Sequence, residues 1–173
     1  MGVRHGSHFY YICMKSLKDY LFEGMTFKVY IMCGLPGSGK STWIKKTHPG
    51  VEIVSRDIIR AELGFTKDAD EKAVLTKEQE EQVTQKEYDL IKRYSNKKKS
   101  FAVDDLNTGR YRKTLIDTLK SYGAHVIGVN VKTPVETCIK RRKDQIPADT
   151  LRKIADKLQF ITKSEVDEVV NVE

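Results

Sequence analysis

Short apolar runs alternate with longer amphipathic stretches from residue 27 to the end of the chain. Five apolar runs bounded by turn residues predict strands, at 27–33, 51–55, 101–104, 124–131 and 166–172. The stretches between them predict helices, at 40–46, 56–63, 77–94, 108–122, 134–144 and 148–160. Strands that alternate with helices are typical of a parallel α/β sandwich, in which ligands bind at the carboxyl ends of the strands.

The helix predicted at 77–94 is highly charged, and its apolar positions indicate which side it buries. The residues expected in the core are Val83, Tyr88, Leu90 and Ile91. The lysine run 97–99 breaks this helix. Such a run is typical of a solvated turn, with a nucleic-acid contact as the alternative. The polar stretch 66–76 is predicted to be a loop that could cover a ligand site.

Composition is that of a soluble globular protein. The chain has 173 residues, of which 39% are hydrophobic and 32% are charged, so one domain with a substantial core is expected. No apolar stretch approaches the roughly 18 residues that a membrane span needs. The three cysteines are scattered, which fits a reducing cytoplasm without disulfides or a zinc site. The net charge of +7 favours polyanionic partners, although a well-solvated surface explains it nearly as well.

The alternation of strands and helices divides the chain into two parts. Residues 1–24 do not follow it and are predicted to be a loosely ordered N-terminal extension. The folded domain is predicted to cover 25–173, without an internal repeat. Any catalytic role is therefore expected within 25–173.

The turn after the first strand carries the clearest chemical signal. Gly34–Ser41 reads GLPGSGKS and matches the phosphate-binding loop G-x-x-x-x-G-K-[ST] at every fixed position. Its glycines let backbone amides approach phosphate closely, and the next helix directs its amino terminus at the same anion. Lys40 is predicted to contact the β- and γ-phosphates of ATP, and Ser41 to bind Mg²⁺. The nucleotide-binding set is Gly34, Pro36, Gly37, Ser38, Gly39, Lys40, Ser41 and Thr42.

Charged residues that follow other predicted strands complete a candidate site for phosphate transfer. Asp57 follows the second strand and is a candidate general base for an attacking hydroxyl, the alternative being a helix cap. Arg60 lies one turn later on the same helix face, where an ordinary exposed arginine is the alternative. Asp104 ends the third strand and could hold a Mg²⁺-bound water. Asp105 is expected to point to the opposite face.

Missing motifs narrow the class of protein. The guanine-reading motif N-K-x-D of GTPases does not occur, and the chain is too short for a motor or transporter ATPase. A compact kinase remains. Four segments resemble the kinase domain of phage-type 5′-polynucleotide kinases, in that family's order over about 27–160. They are GLPGSGKSTW at 34–43, SRDIIRAEL at 55–63, VDDLNTGRYR at 103–112 and TPVETCIKRRKDQIPADTLRKIADKLQ at 133–159.

This resemblance implies a P-loop kinase-like three-layer sandwich with a mostly parallel, roughly five-stranded sheet and a helical lid. It implies that Asp57 is the general base and that Arg60 binds the phosphate of the acceptor's first nucleotide. It also implies that Asp104 orients Arg60. Asn107 matches the family's asparagine in the following turn, where a plain turn residue is the alternative.

The resemblance implies lid cations in the basic segment 140–143. Arg141 matches a family arginine that contacts the nucleotide, and the second lid cation is Arg142 or Lys143. A solvated basic helix end, favourable to the helix dipole, is the alternative. Five residues separate Arg141 from Pro147, a shorter lid segment than the family usually has. The phosphatase motif Asp-x-Asp-Gly-Thr of many family members does not occur, so 3′-phosphatase activity is not expected.

The sequence therefore predicts an ATP- and Mg²⁺-dependent kinase of the 5′-hydroxyl ends of RNA or DNA, located in the cytoplasm. No membrane contact and no stable protein partner are expected, and self-association is left open. One alternative is a kinase of the same architecture that acts on a sugar, nucleoside or other small hydroxyl compound. The other is a nucleotide-binding regulator that transfers no phosphate. The pairing of Asp57 with Arg60 favours an enzyme, because a regulator does not need a positioned base.

Overall fold

A parallel sheet forms the centre of the computed structural model, which describes residues 26–65, 75–105 and 109–173. Its strands are β1 (Lys28–Cys33), β2 (Glu52–Val54), β3 (Phe101–Asp104), β4 (His125–Val131) and β5 (Glu168–Val172). They lie in the order β2-β3-β1-β4-β5, and every neighbouring pair is parallel. The predicted α/β class is confirmed, with a fully parallel sheet where a mostly parallel one was expected.

Six helices are present in the described part of the chain. They are α1 (Lys40–Thr47), α2 (Arg56–Glu62), α3 (Lys77–Asn96), α4 (Gly109–Ser121), α5 (Val135–Arg142) and α6 (Ala148–Lys157). Each corresponds to a predicted helix within a few residues at either end. The largest difference is at α6, which ends at Lys157 and not at residue 160, because Leu158 adopts an extended backbone with ψ of 120°.

Side chains of successive strand residues are buried on opposite faces of the sheet, as strand geometry requires. On one face, Val29 and Ile31 of β1 pack in a cluster with residues of α2, α3 and α4. On the other face, Tyr30 and Met32 pack with Ile44 of α1. The sheet is therefore covered on both sides, which explains why the central strands read as nearly continuous apolar runs. The predicted three-layer sandwich is confirmed.

Helix α3 buries the expected side at most positions but not at one. Val83 and Ile91 are 0% and 4% exposed, and Leu90 is partly buried against the same core. The prediction for Tyr88 was wrong, since this side chain is 48% exposed. Positions 83, 87 and 91 lie above one another on a helix, and the middle position belongs to Glu87, which is 1% exposed.

The lysine run after α3 is a turn whose side chains have partners within the chain. Lys98 donates to the Tyr122 carbonyl, and its Nζ lies 5.3 Å from the centroid of the Phe27 ring. Lys99 forms an ion pair with Glu52 at 2.9 Å. The turn lies at the edge of the sheet where strands begin, opposite the edge that carries the phosphate loop. These contacts favour the turn over a nucleic-acid contact.

Some predictions concern residues outside the described ranges. These are the extension 1–24, most of the loop predicted at 66–76, and Asn107. Thr76 is described and caps α3, because its hydroxyl accepts from the Gln79 amide while the Gln79 side chain accepts from the Thr76 amide. Among the described residues, none of the helices combines the length and the apolar character needed to cross a bilayer.

Candidate active site

A cleft of about 1020 Å³ opens at the edge of the sheet where the strands end. Its walls come from the loop after β1, the start of α2, the end of β3 and the end of α5. Carboxyl ends of parallel strands meet at one edge of the sheet, so residues far apart in sequence converge there. The cleft is lined, among others, by Lys40, Ser41, Asp57, Arg60, Asp104, Arg141 and Arg142.

The phosphate loop has a backbone that favours glycine at three positions, namely Gly34, Gly37 and Gly39. Gly37 and Gly39 have φ values of 81° and 98°, in the left-handed region that side chains disfavour. A Cβ at Gly37 would also lie 2.9 Å from Cγ of Arg142, so the close approach of α5 requires glycine here too. The Thr133 hydroxyl donates to the Ser38 carbonyl at 2.7 Å and ties the loop to the segment after β4.

Helix α1 begins at Lys40 directly after the loop. Its N-cap residue, Gly39, provides no side-chain hydrogen bond, so the first amides of the helix are left for an anion. The Nζ of Lys40 lies 3.1 Å from the Gly34 carbonyl oxygen and 3.2 Å from that of Leu35. The ammonium therefore lies over the loop, and amides and ammonium together form a site suited to phosphate groups.

The Ser41 hydroxyl donates a hydrogen bond to Oδ2 of Asp104. This contact brings the first turn of α1 to the end of β3, where Met32 of β1 pairs with Asp104. A hydroxyl beside a carboxylate is a donor set that fits Mg²⁺, which prefers oxygen ligands and is usually held by one or two side chains and the phosphates of the substrate. Ser41 would bind such an ion directly, and Asp104 through a water.

Asp57 stands in the first turn of α2 at the mouth of the cleft. Ser55 occupies the N-cap position of this helix, so Asp57 is not the cap residue. Its side chain is 88% exposed, and Oδ1 accepts a hydrogen bond from Nη1 of Arg60 at 2.9 Å. The carboxylate is accessible to a hydroxyl that enters the cleft, as a general base must be.

Arg60 is held between two carboxylates. Besides the bond to Asp57, its Nη2 and Nε lie 3.1 Å and 3.3 Å from Oε1 of Glu80 on α3. The guanidinium therefore joins α2 to α3 at the cleft wall. Asp104 contacts Ser41 instead of this arginine, so the arrangement in which Asp104 orients Arg60 is not the one observed.

A second arginine, Arg56, connects the same two helices more deeply. Its Nη1 donates to Oε2 of Glu87 at 2.8 Å, and its Nη2 donates to Oε2 of Glu80 at 2.7 Å. Burial raises the pKa of the Glu87 carboxyl, although hydrogen bonds from Arg56 and Tyr111 lower it. Burial lowers the pKa of Arg56, but the hydrogen bonds to Glu80 and Glu87 outweigh it, and the net shift is upward. This network supports the wall that carries Asp57 and Arg60.

We expect Glu87→Ala to lower the free energy of unfolding by about 3 kcal/mol, because it leaves Arg56 without its buried partner and opens a cavity. Urea unfolding at neutral pH measures the change. Glu81→Ala on the same helix is the matched control. Glu81 is 67% exposed and lies 3.9 Å from Lys77, so its loss is expected to change stability by less than about 0.5 kcal/mol. Equal changes in both variants would contradict the role of Glu87.

Arg56, Glu80 and Glu87 were not among the predicted site residues. The pairing of α2 with α3 depends on tertiary structure, so the partners of the arginines could not be read from spacing. One signal was present, however. A carboxylate midway between Val83 and Ile91 occupies the buried row of the helix, and a buried carboxylate requires a cationic partner.

The lid candidates lie on α5, which packs against the phosphate loop. Nη1 of Arg141 donates to the Gly37 carbonyl at 3.1 Å. Arg142 also lines the cleft and donates to the Gln145 side chain. Of the two candidates for the second lid cation, Lys143 is the C-cap residue of α5, and Arg142 is the one that lines the cleft.

Asp105 lies near Glu87. The negative charge of Asp105 raises the pKa of the Glu87 carboxyl.

Comparisons with known proteins give the family and the fold of this chain. A family model described as an AAA domain matches residues 29–160. A protein of Chloroflexus aurantiacus J-10-fl that is assigned as a kinase superimposes with a TM-score of 0.65 at 14% identity, over 85% of this chain and 88% of that chain. A sugar kinase from Janibacter sp. HTCC2649 superimposes with a TM-score of 0.53 at 20% identity, over 84% and 85% of the two chains.

A chain of the Pnkp1/Rnl/Hen1 RNA repair complex superimposes with a TM-score of 0.62 at 23% identity. The match covers 78% of this chain and 44% of that chain, so this protein spans less than half the length of that relative. At these identities the likenesses show the fold alone. The family model covers most of the described sequence, and the chain belongs to the AAA domain family.

Proposed function

We propose that this protein transfers the γ-phosphate of ATP to the 5′-hydroxyl end of RNA or DNA, with Mg²⁺ as cofactor. The observation that carries the proposal is the pair formed by Asp57 and Arg60, 2.9 Å apart on the wall of the cleft that also holds Lys40. A carboxylate beside a guanidinium suits an acceptor that presents a hydroxyl and a phosphate close together.

In the proposed reaction, the 5′-oxygen of the acceptor attacks the γ-phosphorus in line with the leaving ADP. The hydroxyl proton passes to the Asp57 carboxylate as the new O–P bond forms and the bond to the β–γ bridging oxygen breaks. Lys40 and the α1 amides hold the phosphates, and Arg141 at the loop adds positive charge where the transition state gains negative charge. Ser41 would hold Mg²⁺, and Asp104 would hold it through a water, so that the ion would neutralise charge on the β- and γ-phosphates.

The charge of the protein and its structural similarity to a chain of an RNA repair complex support a polynucleotide acceptor. The net charge of +7 favours a polyanion, and Arg60 offers a guanidinium that can bind a phosphate. A chain of an RNA repair complex is among the structural relatives. A small-molecule kinase is the second candidate, supported by the sugar kinase relative of similar length. That function requires the same Lys40 and Asp57 but gives Arg60 no acceptor phosphate to bind.

We expect transfer of labelled γ-phosphate from ATP, with Mg²⁺ present, to a 5′-OH oligoribonucleotide or oligodeoxynucleotide. The same oligonucleotides with a 5′-phosphate serve as the matched control, since they lack the attacking hydroxyl. Acceptor binding should weaken as salt concentration rises, because the strand is held through its phosphates. Label found on sugars or nucleosides alone would favour the small-molecule kinase. ATP binding without transfer to any acceptor would favour the regulator.

A further inference from the structure

Glu80 stands at the point where both arginines of the cleft wall meet α3. Its Oε1 accepts from Nη2 and Nε of Arg60, and its Oε2 accepts from Nη2 of Arg56 at 2.7 Å. Nη2 of Arg60 lies 3.4 Å from Oε2 as well. One carboxylate thus binds a whole edge of the Arg60 guanidinium, in the paired geometry that fixes the orientation of an arginine.

Glu80 is itself held in place from two directions. It lies in the first turn of α3, whose start is fixed by the reciprocal hydrogen bonds of Thr76 and Gln79. Arg56 donates to Glu80 through Nη2 and to Glu87 through Nη1, and the Glu87 side chain is 1% exposed. The Glu80 carboxylate is therefore a fixed support, and Arg60 takes its direction from it.

This support leaves one part of Arg60 for the cleft. Nε and Nη2 are turned to Glu80, whereas Nη1 is turned to Asp57, whose carboxylate is 88% exposed. A phosphate that enters the cleft can take over Nη1 while the other edge stays bound to Glu80. Asp57 is then released from the ion pair to accept a proton from the neighbouring hydroxyl.

We infer that Glu80 is a positioning residue that sets Arg60 to bind the phosphate next to the attacking hydroxyl of the acceptor. The inference rests on the proposed function and deepens it, because it adds a residue outside the phosphate loop and outside α2 on which binding of the acceptor depends. A neutral nucleoside or sugar has no phosphate group to accept a hydrogen bond from Nη1 of Arg60. Without Glu80 the arginine side chain keeps its charge but loses its fixed orientation, and ordering it on binding then costs free energy.

The test compares the wild-type protein with Glu80→Ala, Glu80→Gln and the control Glu81→Ala. Steady-state transfer is measured with three acceptors: a 5′-OH oligonucleotide, a nucleoside 3′-monophosphate and the same nucleoside without phosphate. For Glu80→Ala we expect KM for both phosphate-bearing acceptors to rise about tenfold, the size of one hydrogen bond to a charged group. KM for ATP and the low activity on the nucleoside should stay within about twofold. The preference for the phosphorylated over the bare nucleoside should fall by the same factor of about ten.

The glutamine variant separates positioning from folding. Its amide oxygen can still accept from Arg60, so Glu80→Gln should recover part of the acceptor KM, and Glu81→Ala should match the wild type. An unchanged acceptor KM in both Glu80 variants would overturn the inference. So would a parallel rise in the KM values for ATP and acceptor together with a lower unfolding temperature, which would indicate a purely structural role. If the wild-type protein itself transfers no phosphate to the phosphate-bearing acceptors, the proposed function fails first and the inference fails with it.

Discussion

Replacing Asp57 with asparagine is expected to lower kcat for phosphate transfer by about 10²–10⁴-fold, the usual contribution of a general base. The amide cannot take the proton of the attacking hydroxyl, whereas the phosphate loop, the proposed site for ATP, is unchanged. ATP affinity, measured by calorimetry or by displacement of a fluorescent nucleotide, should therefore stay within about threefold. The variant should also fold normally, because the Asp57 side chain is 88% exposed.

Asp149 offers a closely matched control for this substitution. It also lies in the first turn of a helix and pairs with an arginine three residues later, Arg152, at 3.4 Å. Its side chain is 87% exposed. Because Asp149 lies on α6 and does not line the cleft, Asp149→Asn should retain wild-type turnover. Normal turnover by Asp57→Asn would remove this residue from the mechanism.

Lys40→Ala is expected to impair both nucleotide binding and transfer, with a loss of about 10²–10³-fold in kcat, comparable to the loss of one fixed donor at a transition state. The ammonium lies over the loop through the carbonyls of Gly34 and Leu35, so its removal takes away the charge that is proposed to contact the β- and γ-phosphates. The dissociation constant for ATP should rise together with the fall in kcat. Single-turnover transfer and nucleotide titration measure the two effects separately.

The control for Lys40 is Lys153→Ala, which removes an exposed lysine of α6 away from the cleft. This change lowers the net charge by the same amount and should leave both constants unchanged. A Lys40 variant that binds ATP like the wild type and still transfers phosphate would contradict the assigned role. A variant that loses only ATP affinity would restrict that role to binding.

Local patterns were sufficient to predict the elements of this fold. The strand at 101–104 was placed at its observed limits, and the turn at Gly34–Ser41 was identified from its residues alone. These features depend on short-range chemistry, namely apolar runs, turn residues and backbone amides before a helix. The contact between Asp57 and Arg60 follows the same rule, because residues three apart on a helix are neighbours.

The remaining site geometry depends on how the helices meet, and the sequence does not contain that information locally. The sequence left two roles possible for the Asp104 carboxylate, namely holding a Mg²⁺-bound water or orienting Arg60. The observed contact of Asp104 with Ser41 follows from the pairing of β1 with β3. Glu80 belongs to a helix that the sequence predicted correctly, but nothing in its spacing indicated that it would bind Arg60. Tyr88 is exposed because the buried row of this helix runs through Val83, Glu87 and Ile91, and position 88 lies beside that row.

The order of the strands has a consequence for how the phosphate loop acquires its shape. β1, which ends in this loop, has no sequence neighbour beside it, since Val29 pairs with Phe101 on one side and Val126 on the other. Parallel pairings of this kind form slowly, because long stretches of chain must close before they gain any contact. We therefore expect the loop to reach its final shape only after β3 and β4 have paired with β1. A nucleotide that binds the completed loop would therefore act late in folding, as a stabiliser by mass action.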